Sequence, residues 1–421
     1  MLTEEEKFVL EDQGDINPET NRPWHQPMLG VKNELFRPRL LFTDLPRGWN
    51  NENDESWFYR HWPSQLDASA LYEPEMVQIE AATIPKNDAL LLRMSDYWNM
   101  RKQEFDTIND NVWAKNTFLL DNIHILDATL GIKDLDLSHE LFSNLHSSSL
   151  CEGMQQGYQA EFWLGNFKIM MPKYTKLIQD RIISLAEFVG AVGVQCPEQG
   201  GHPFYLDINE IIEVVGIKIS QMAGPVRFPV YQGGLIGIKT IAGIVDERQL
   251  SSLYIALKIH EKFRDNKQAK ICDLGAGNGL VLFWLYQLGY QNLYAVDLPH
   301  VSLLQVHNLS THFGMSQVKF GHESTNAPIT ILSMDQYFNY DYDLVVNSDS
   351  LPEIDHAWAS KYLQHINEHS KFFFSINQET MFKNQINVRH AINENYKNLH
   401  CISRNRFWMR PGYIEEWYQQ K

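Results

Sequence analysis

Gly275, Gly277 and Gly279 follow directly on the apolar run Lys270–Leu274, and Asp273 lies inside that run. A backbone turn of this kind needs positive φ or close approach to a ligand, and glycine permits both. A helix-like run begins at Leu280, so its free N–H groups and positive end would face whatever the turn holds. Asp297 ends the next apolar run, at the spacing where a carboxylate can take a ribose diol. A glycine-rich turn alone can be no more than a tight connection. The two acids are what point to a nucleoside-bearing cofactor.

The glycine spacing is G-x-G-x-G. The dinucleotide fingerprint would place its third glycine at Leu280, which counts against NAD. An acid at the end of the first strand would repel a pyrophosphate. It suits a cofactor that has no phosphate and carries positive charge. S-adenosylmethionine (SAM), with its ribose, ammonium and sulfonium, has that character.

A second polar group lies downstream. Asn347, Ser348, Asp349, Ser350 and Glu353 follow the run DYDLVVN, and Asn377, Gln378 and Glu379 follow KFFFSIN. In a doubly wound sheet, ligands bind at the carboxyl ends of the strands, where these residues would gather. A hydroxyl acceptor is a poor nucleophile at neutral pH, so a base near its proton would help. Asp349 and Glu379 are the first candidates, with Glu353, His356 and His390 behind them. Ser350 and Glu353 are also spaced as a helix capping box. A divalent cation would lower a hydroxyl's pKa, but no tight Asp/His cluster calls for one. Arg389, Arg406 and Arg410 could bind an acidic group, and surface pairing with acids is the plainer use. The densest aromatic stretches, WFYRHWP (57–63) and RFWMRPGYIEEWY (406–418), suit packing better than carbohydrate stacking.

These residues must be positioned by alternating elements. From residue 269, strand-like runs (KICDL, NLYAVDL, VKF, ITIL, DYDLVVN, KFFFSIN) alternate with helical ones, which implies a parallel sheet covered by helices. NLHCISRNRFW and YIEEWYQ flank RPG and read as an antiparallel hairpin closing that sheet. The segment 249–263 reads as a helix leading into the first strand. Upstream, apolar residues at three- and four-residue spacing predict helices in 69–84, 96–126 and 174–194. CPEQGGHPFYLD (196–207) is a break, and 208–246, with GIKIS and FPVYQGGLIGIKT, reads as a short hairpin or substrate loop. The expected organisation is an irregular aromatic-rich arm (1–65), a mainly helical lid and substrate domain (66–248) and a cofactor domain (249–421).

D-L-G-A-G-N-G (273–279) with Asp297 resembles motif I and its acidic partner in class I SAM-dependent methyltransferases. The tail hairpin resembles that fold's reversed last strand. The resemblance covers about residues 250–421 and implies an α/β, Rossmann-like sheet with a C-terminal antiparallel hairpin, preceded by a mostly α-helical N-terminal domain. More narrowly, DYDLVVNSDSLPEID (341–355) and FFFSINQET (372–380) resemble the sugar O-methyltransferases of bacterial surface-polysaccharide and antibiotic-sugar clusters. LAEFVGAVGVQCPEQGG and VYQGGLIGIKT are similar as well. The resemblance implies that Asp273, Gly275, Gly277 and Gly279 line SAM, with Asp297 on the ribose and Leu298 and Asn347 close by. The adenine contact would come from Ser333-Met334-Asp335 after ITIL, or from His322-Glu323 after VKF. The first of these is nearer the fourth strand. Other acceptors, such as a polyketide or small phenol, remain alternatives, as does a scaffold that has lost its chemistry.

Composition bounds the rest. The chain has 421 residues, is 44% hydrophobic and 12% aromatic, and so can build more than one ordinary domain. Its 36 basic and 52 acidic residues leave a net charge of −16, which speaks against nucleic-acid and anionic-membrane partners. The acidic N-terminus MLTEEEKFVLEDQGD lacks the features of a signal peptide, and no stretch is apolar enough to span a membrane. Cys151, Cys196, Cys272 and Cys401 lie far apart without a CxxC, so disulfides are not expected and a cytoplasmic location fits. The oligomeric state is not legible.

Overall fold

The structure is a computed structural model. It describes residues 84–107, 117–151, 171–193, 208–224, 236–354, 356–379, 386–410 and 412–421, together with 154, 226–230, 233 and the short strand segments 16–17, 22–23 and 76–78. Apart from one two-residue antiparallel pair (Ile16–Asn17 with Arg22–Pro23), the arm lies outside the described residues. So do the aromatic stretch 57–63 and the break 196–207.

The main sheet uses strands β4 (Lys270–Leu274), β5 (Asn292–Val296), β6 (Val318–Phe320), β7 (Ile329–Leu332), β8 (Tyr342–Ser348), β9 (Ser370–Gln378), β10 (Leu399–Arg406) and β11 (Tyr413–Gln420). Their spatial order is β10-β11-β9-β8-β4-β5-β7-β6. The strands from β4 to β9 pair in parallel, while β11 runs antiparallel to both β9 and β10. The expected parallel sheet closed by a reversed hairpin is therefore present. VKF and ITIL are separate strands, with ITIL inside and VKF on the edge. Near-continuous apolar strands demand cover on both faces. Helices α6 (Glu247–Phe263), α7 (Leu280–Gln287) and α8 (Pro299–Phe313) belong to one core, and α9 (His356–His369) and α10 (Val388–Asn395) to the other.

The upstream helices are α1 (Asp88–Arg101), α2 (Thr117–Leu126), α3 (Leu135–Ser143), α4 (Met171–Phe188) and α5 (Ile208–Ala223). Their buried residues join the same core as α6–α8. Tyr97 of α1 stacks on Phe320 of β6 at 3.9 Å, and Arg93 pairs with Glu323 at 2.6 Å. The helical part therefore packs directly onto the edge of the sheet.

Three expectations need correction. GIKIS is not a strand. It lies inside α5, where Ile211, Ile212, Val215 and Ile219 bury one face at helical spacing. The hairpin comes later, as β2 (Ile236–Thr240) and β3 (Gly243–Val245). Nor is 69–84 a helix throughout. Met76–Gln78 form strand β1, antiparallel to β2 in a three-stranded sheet. That partner lies far along the chain, so tertiary pairing overrides the local period. The predicted helix 96–126 divides into the end of α1, a 3₁₀ turn at Lys102–Thr107 and α2, with 108–116 outside the described residues. Cys151, Cys272 and Cys401 are free thiols. No helix among the described residues is long and apolar enough to cross a membrane.

Candidate functional site

β4 ends in the glycine turn. Gly275, Gly277 and Gly279 have φ of 72°, 52° and 75°, the left-handed region that side chains resist. Gly275 also lies against Ser350. A Cβ at 275 would stand 2.0 Å from the Ser350 Oγ and 2.4 Å from its Cβ. Gly279 caps α7 without a side chain, which leaves that helix's first N–H groups open. The turn is tied to its neighbours. The Gly275 N–H donates to Val296 O at 2.8 Å, and the Gly277 N–H donates to the Asp297 carboxylate at 2.9 Å.

Sequence reasoning missed a clamp on this turn. From the buried side of α8, Gln305 Nε2 donates to Gly277 O at 2.9 Å and Asn308 Nδ2 to Asn278 O at 3.0 Å. The signal was there: two amides at i and i+3 on a helix face that also buries Val301, Leu304 and Leu309.

Asp273 lies in β4 and Asp297 directly follows the adjacent β5, and their charges interact. Asp297 accepts the N–H of Gly277 and, at 2.8 Å, that of Leu298, the N-cap residue of α8. Burial pushes its carboxyl up to about 6, against the help of those two bonds. Asp273 is 2% exposed and makes no hydrogen bond or ion pair with another described side chain. Burial, and then the Asp297 charge, push it up to about 8. Two buried acids with no cation paired to either among the described residues suit a ligand that brings positive charge and hydroxyl donors. They do not suit a pyrophosphate.

The ends of β8 and β9 meet the turn from the other side. Asn347 is fully buried, and its Nδ2 donates to Leu274 O at 2.8 Å and to the Ser350 Oγ. The Ser350 hydroxyl donates to the same Leu274 carbonyl at 3.1 Å. Asn377 Nδ2 donates to Asn347 Oδ1 at 3.0 Å. The predicted capping box does not form: Ser350 makes no side-chain cap, because its hydroxyl is turned to the glycine strand. Asp349 has a left-handed φ of 63° and its N–H donates to Ile376 O at 2.9 Å. That geometry aims its carboxylate at the C-terminal hairpin, where Arg410 and the Tyr413 hydroxyl both donate to it. Burial, with the Asp349 charge next, holds the Tyr413 phenol well above its usual range, so it is a hydrogen-bond donor at neutral pH.

The other candidate bases are placed elsewhere. Both Glu379 oxygens bond Arg404, at 2.8 and 2.7 Å. His356 is an exposed first residue of α9, 3.5 Å from the Ser360 hydroxyl. His390 pairs with Glu394 at 3.1 Å on α10. Glu353 lies in the short 3₁₀ turn after Ser350, its N–H on Ser350 O at 2.9 Å. Arg389 bonds the buried Glu416 at 2.6 Å, so it serves pairing, as does Arg410. The aromatic tail serves packing: Trp417 stacks on Phe374 at 4.2 Å and Trp408 meets Tyr254 at 4.8 Å.

Two positions competed for the adenine contact. Ser333 and Met334 follow β7, which pairs directly with β5, so they leave the sheet beside Asp297 and Leu298. His322 stacks beside Phe320 and Tyr97 at the sheet edge, and Glu323 is held by Arg93 and by the Phe320 N–H at 2.7 Å. Among the described residues, no group of three or more His, Cys, Asp or Glu is arranged to hold a metal.

No family model and no curated protein matches the chain. Solved structures do. The magnesium protoporphyrin IX methyltransferase of Synechocystis PCC 6803, with bound SAM, is 14% identical over 42% of this chain and 80% of its own, with a TM-score of 0.31. A glycopeptide N-methyltransferase complexed with sinefungin is 13% identical over 40% and 87%, with a TM-score of 0.32. The strand order and the reversed β11, rather than these modest likenesses, make the described sheet an α/β fold of the SAM-methyltransferase type.

Proposed function

We propose that the chain is a SAM-dependent O-methyltransferase acting on the hydroxyl of a nucleotide-linked or glycan-linked sugar. The observation that carries the cofactor is the pair of buried carboxylates, Asp273 and Asp297, beside one glycine turn, with no cation paired to either among the described residues. The sugar acceptor is supported by the resemblance of NSDSLPEI and SINQE, of which Asn347, Ser350 and Asn377 lie together beside that turn.

When bound, SAM supplies a methyl group already activated on a sulfonium, so the protein's task is chiefly alignment. When SAM is bound, Asp297 would accept hydrogen bonds from the ribose hydroxyls, Asp273 would face the positive charge, and Ser333 and Met334 would flank the adenine. Asn347 and Ser350 hold the turn rigid through the Leu274 carbonyl. Asp349 takes the proton from the acceptor hydroxyl, while Arg410 and Tyr413 fix its orientation.

Calorimetry with SAM, S-adenosylhomocysteine and NAD tests the cofactor. Micromolar binding of the first two and none of NAD is expected. The same titration carries a pH prediction. With Asp273 near 8 in the free protein, it is protonated at pH 7, and a cationic ligand favours its charged form. SAM binding at pH 7 therefore releases up to about one proton, and the release fades above about pH 9. Affinity rises with pH until Asp273 has titrated. Identical binding heats in phosphate and Tris buffers would rule this linkage out.

The acceptor is tested by methyl transfer to a panel of nucleotide sugars, with and without magnesium, beside small phenols. Asp349→Asn keeps the contacts to Arg410 but cannot take a proton. It is expected to lower kcat about 10²-fold or more, with SAM affinity within about threefold. A variant within about threefold of wild-type kcat would remove Asp349 from the chemistry.

A further inference from the structure

Gln305 and Asn308 reach from α8 to the glycine turn, and both are buried, Gln305 at 0% exposure and Asn308 at 6%. Gln305 Nε2 donates to Gly277 O at 2.9 Å. That contact fixes the orientation of the amide, because the opposite one would set two oxygens against each other. Gln305 Oε1 is left buried without a hydrogen-bond partner among the described residues. One donated bond set against one unmet acceptor gives the fold little net stability, so a methionine of similar length would serve the core as well. What the amide provides instead is direction.

Gly277 is gripped at both of its backbone groups by one stretch of chain. Its N–H donates to the carboxylate of Asp297, just ahead of α8, and its carbonyl accepts from Gln305, inside α8. The Asn278 carbonyl accepts from Asn308 at 3.0 Å, one turn along the same helix face. α8 abuts the turn so closely that a Cβ on Gly279 would stand 3.2 Å from Leu309 Cδ1. In a trans peptide the C=O and the following N–H point opposite ways. Holding the carbonyls of Gly277 and Asn278 therefore also fixes the N–H directions of Asn278 and Gly279. A glycine at φ of 52° has no side chain of its own to restrict that conformation, so the restriction must come from outside.

We propose that Gln305 and Asn308 are positioning residues for the cofactor: they tie the glycine turn to the helix that Asp297 leads into, and so keep the turn and the ribose-binding carboxylate in one fixed relation. This rests on the cofactor reading above and places part of the control of SAM affinity on two buried amides of α8.

SAM calorimetry on the full chain tests it, with Gln305→Met, Asn308→Leu and the double variant beside wild type. Each single change is expected to weaken SAM binding about 10-fold, and the pair about 30-fold or more. The thermal midpoint of Gln305→Met should stay within about 3 °C of wild type, since an unmet acceptor leaves with the lost bond. Without cofactor, hydrogen exchange of residues 273–283 should quicken in the variants while β8 and β9 stay protected. Gln305→Glu is the conservative control. Buried beside a carbonyl, its carboxyl is protonated at about pH 6 and can donate to Gly277 O, so SAM affinity at that pH should return to within about threefold of wild type. Four outcomes overturn the proposal: SAM affinity of the double variant within about twofold of wild type, a fall of more than about 5 °C in Gln305→Met, exchange quickened equally across the whole sheet, or Gln305→Glu binding SAM no better than Gln305→Met at about pH 6. If wild type itself binds no SAM, the cofactor assignment falls, and the exchange rates still decide whether the two amides hold the turn.

Discussion

Asp297→Ala should weaken SAM binding about 100-fold or more. Hydrogen bonds to a charged acceptor contribute roughly 1.5–3 kcal/mol each, and a ribose diol would make two of them. The carboxylate has a second task, because it also accepts the N–H groups of Gly277 and Leu298. Its loss therefore loosens the turn that shapes the pocket and leaves two donors without their acceptor. Asp297→Asn separates the two effects. The amide oxygen can keep one backbone bond, so most of the turn should survive while the charged acceptor is gone. An intermediate loss of about 10-fold for Asn is the expected pattern. Calorimetry reads both, and circular dichroism checks that the fold is unchanged. If alanine costs less than about threefold, Asp297 does not contact the ribose and the cofactor assignment loses its main support.

Gly275→Ala should be the most damaging single methyl addition in the glycine turn. The new Cβ would lie 2.0 Å from the Ser350 Oγ and 2.4 Å from its Cβ, and φ is 72°. The hydroxyl could rotate away, but the Ser350 Cβ is anchored to its own backbone. The left-handed conformation adds about 1–2 kcal/mol. A stability loss of about 3 kcal/mol or more is expected, with SAM binding abolished. Gly277→Ala is the contrast, since its nearest described neighbour is Met154 at 3.7 Å. That substitution should cost little more than the backbone term. The double variant Gly275→Ala/Ser350→Gly removes the clash and should recover the steric share of the loss but not the backbone share. Denaturant unfolding of the four proteins measures this directly. Equal stability losses for Gly275→Ala and Gly277→Ala would show that the close packing of Ser350 on the turn is wrong.

The glycine turn and the two acids beside it were legible in the sequence because their signals are local. An apolar run, three glycines at fixed spacing and an acid at the end of the next run each act within a few residues of one another. The parallel sheet was legible for the same reason, since its buried strands are short apolar runs divided by helices. What escaped depends on partners distant in the chain. Asp349 could be named as a polar residue at a strand end, but not its union with Arg410 and Tyr413 more than sixty positions later. The Ser-x-x-Glu spacing suggested a cap, yet the Ser350 hydroxyl turned to Leu274 on another strand. GIKIS is β-branched enough to read as a strand, and only the wider window of α5 shows the helical face.

The pairing of β1 with β2 bears on the order in which the molecule assembles. Joining Gln78 to Ile236 closes a loop of 236 − 78 = 158 positions. Loop closure at that length costs on the order of 4–5 kcal/mol beyond a constant. A three-residue ladder cannot offset such an entropy loss in an open chain. The ends must first be drawn together by the collapse of α4 and α5 with the rest of the helical core, so β1 docks late. The same inequality runs backwards in the native state. β1 should be among the first elements to detach in partial opening, and the amides of β2 that face it should exchange with solvent before those that face β3. The small sheet is therefore a natural place for the helical half to loosen while the large sheet stays intact. It leads straight into α6 through the Asp246 cap, whose side chain accepts the Gln249 N–H at 2.7 Å. Any such loosening would reach Glu247, the buried first residue of α6, before it reached the glycine turn.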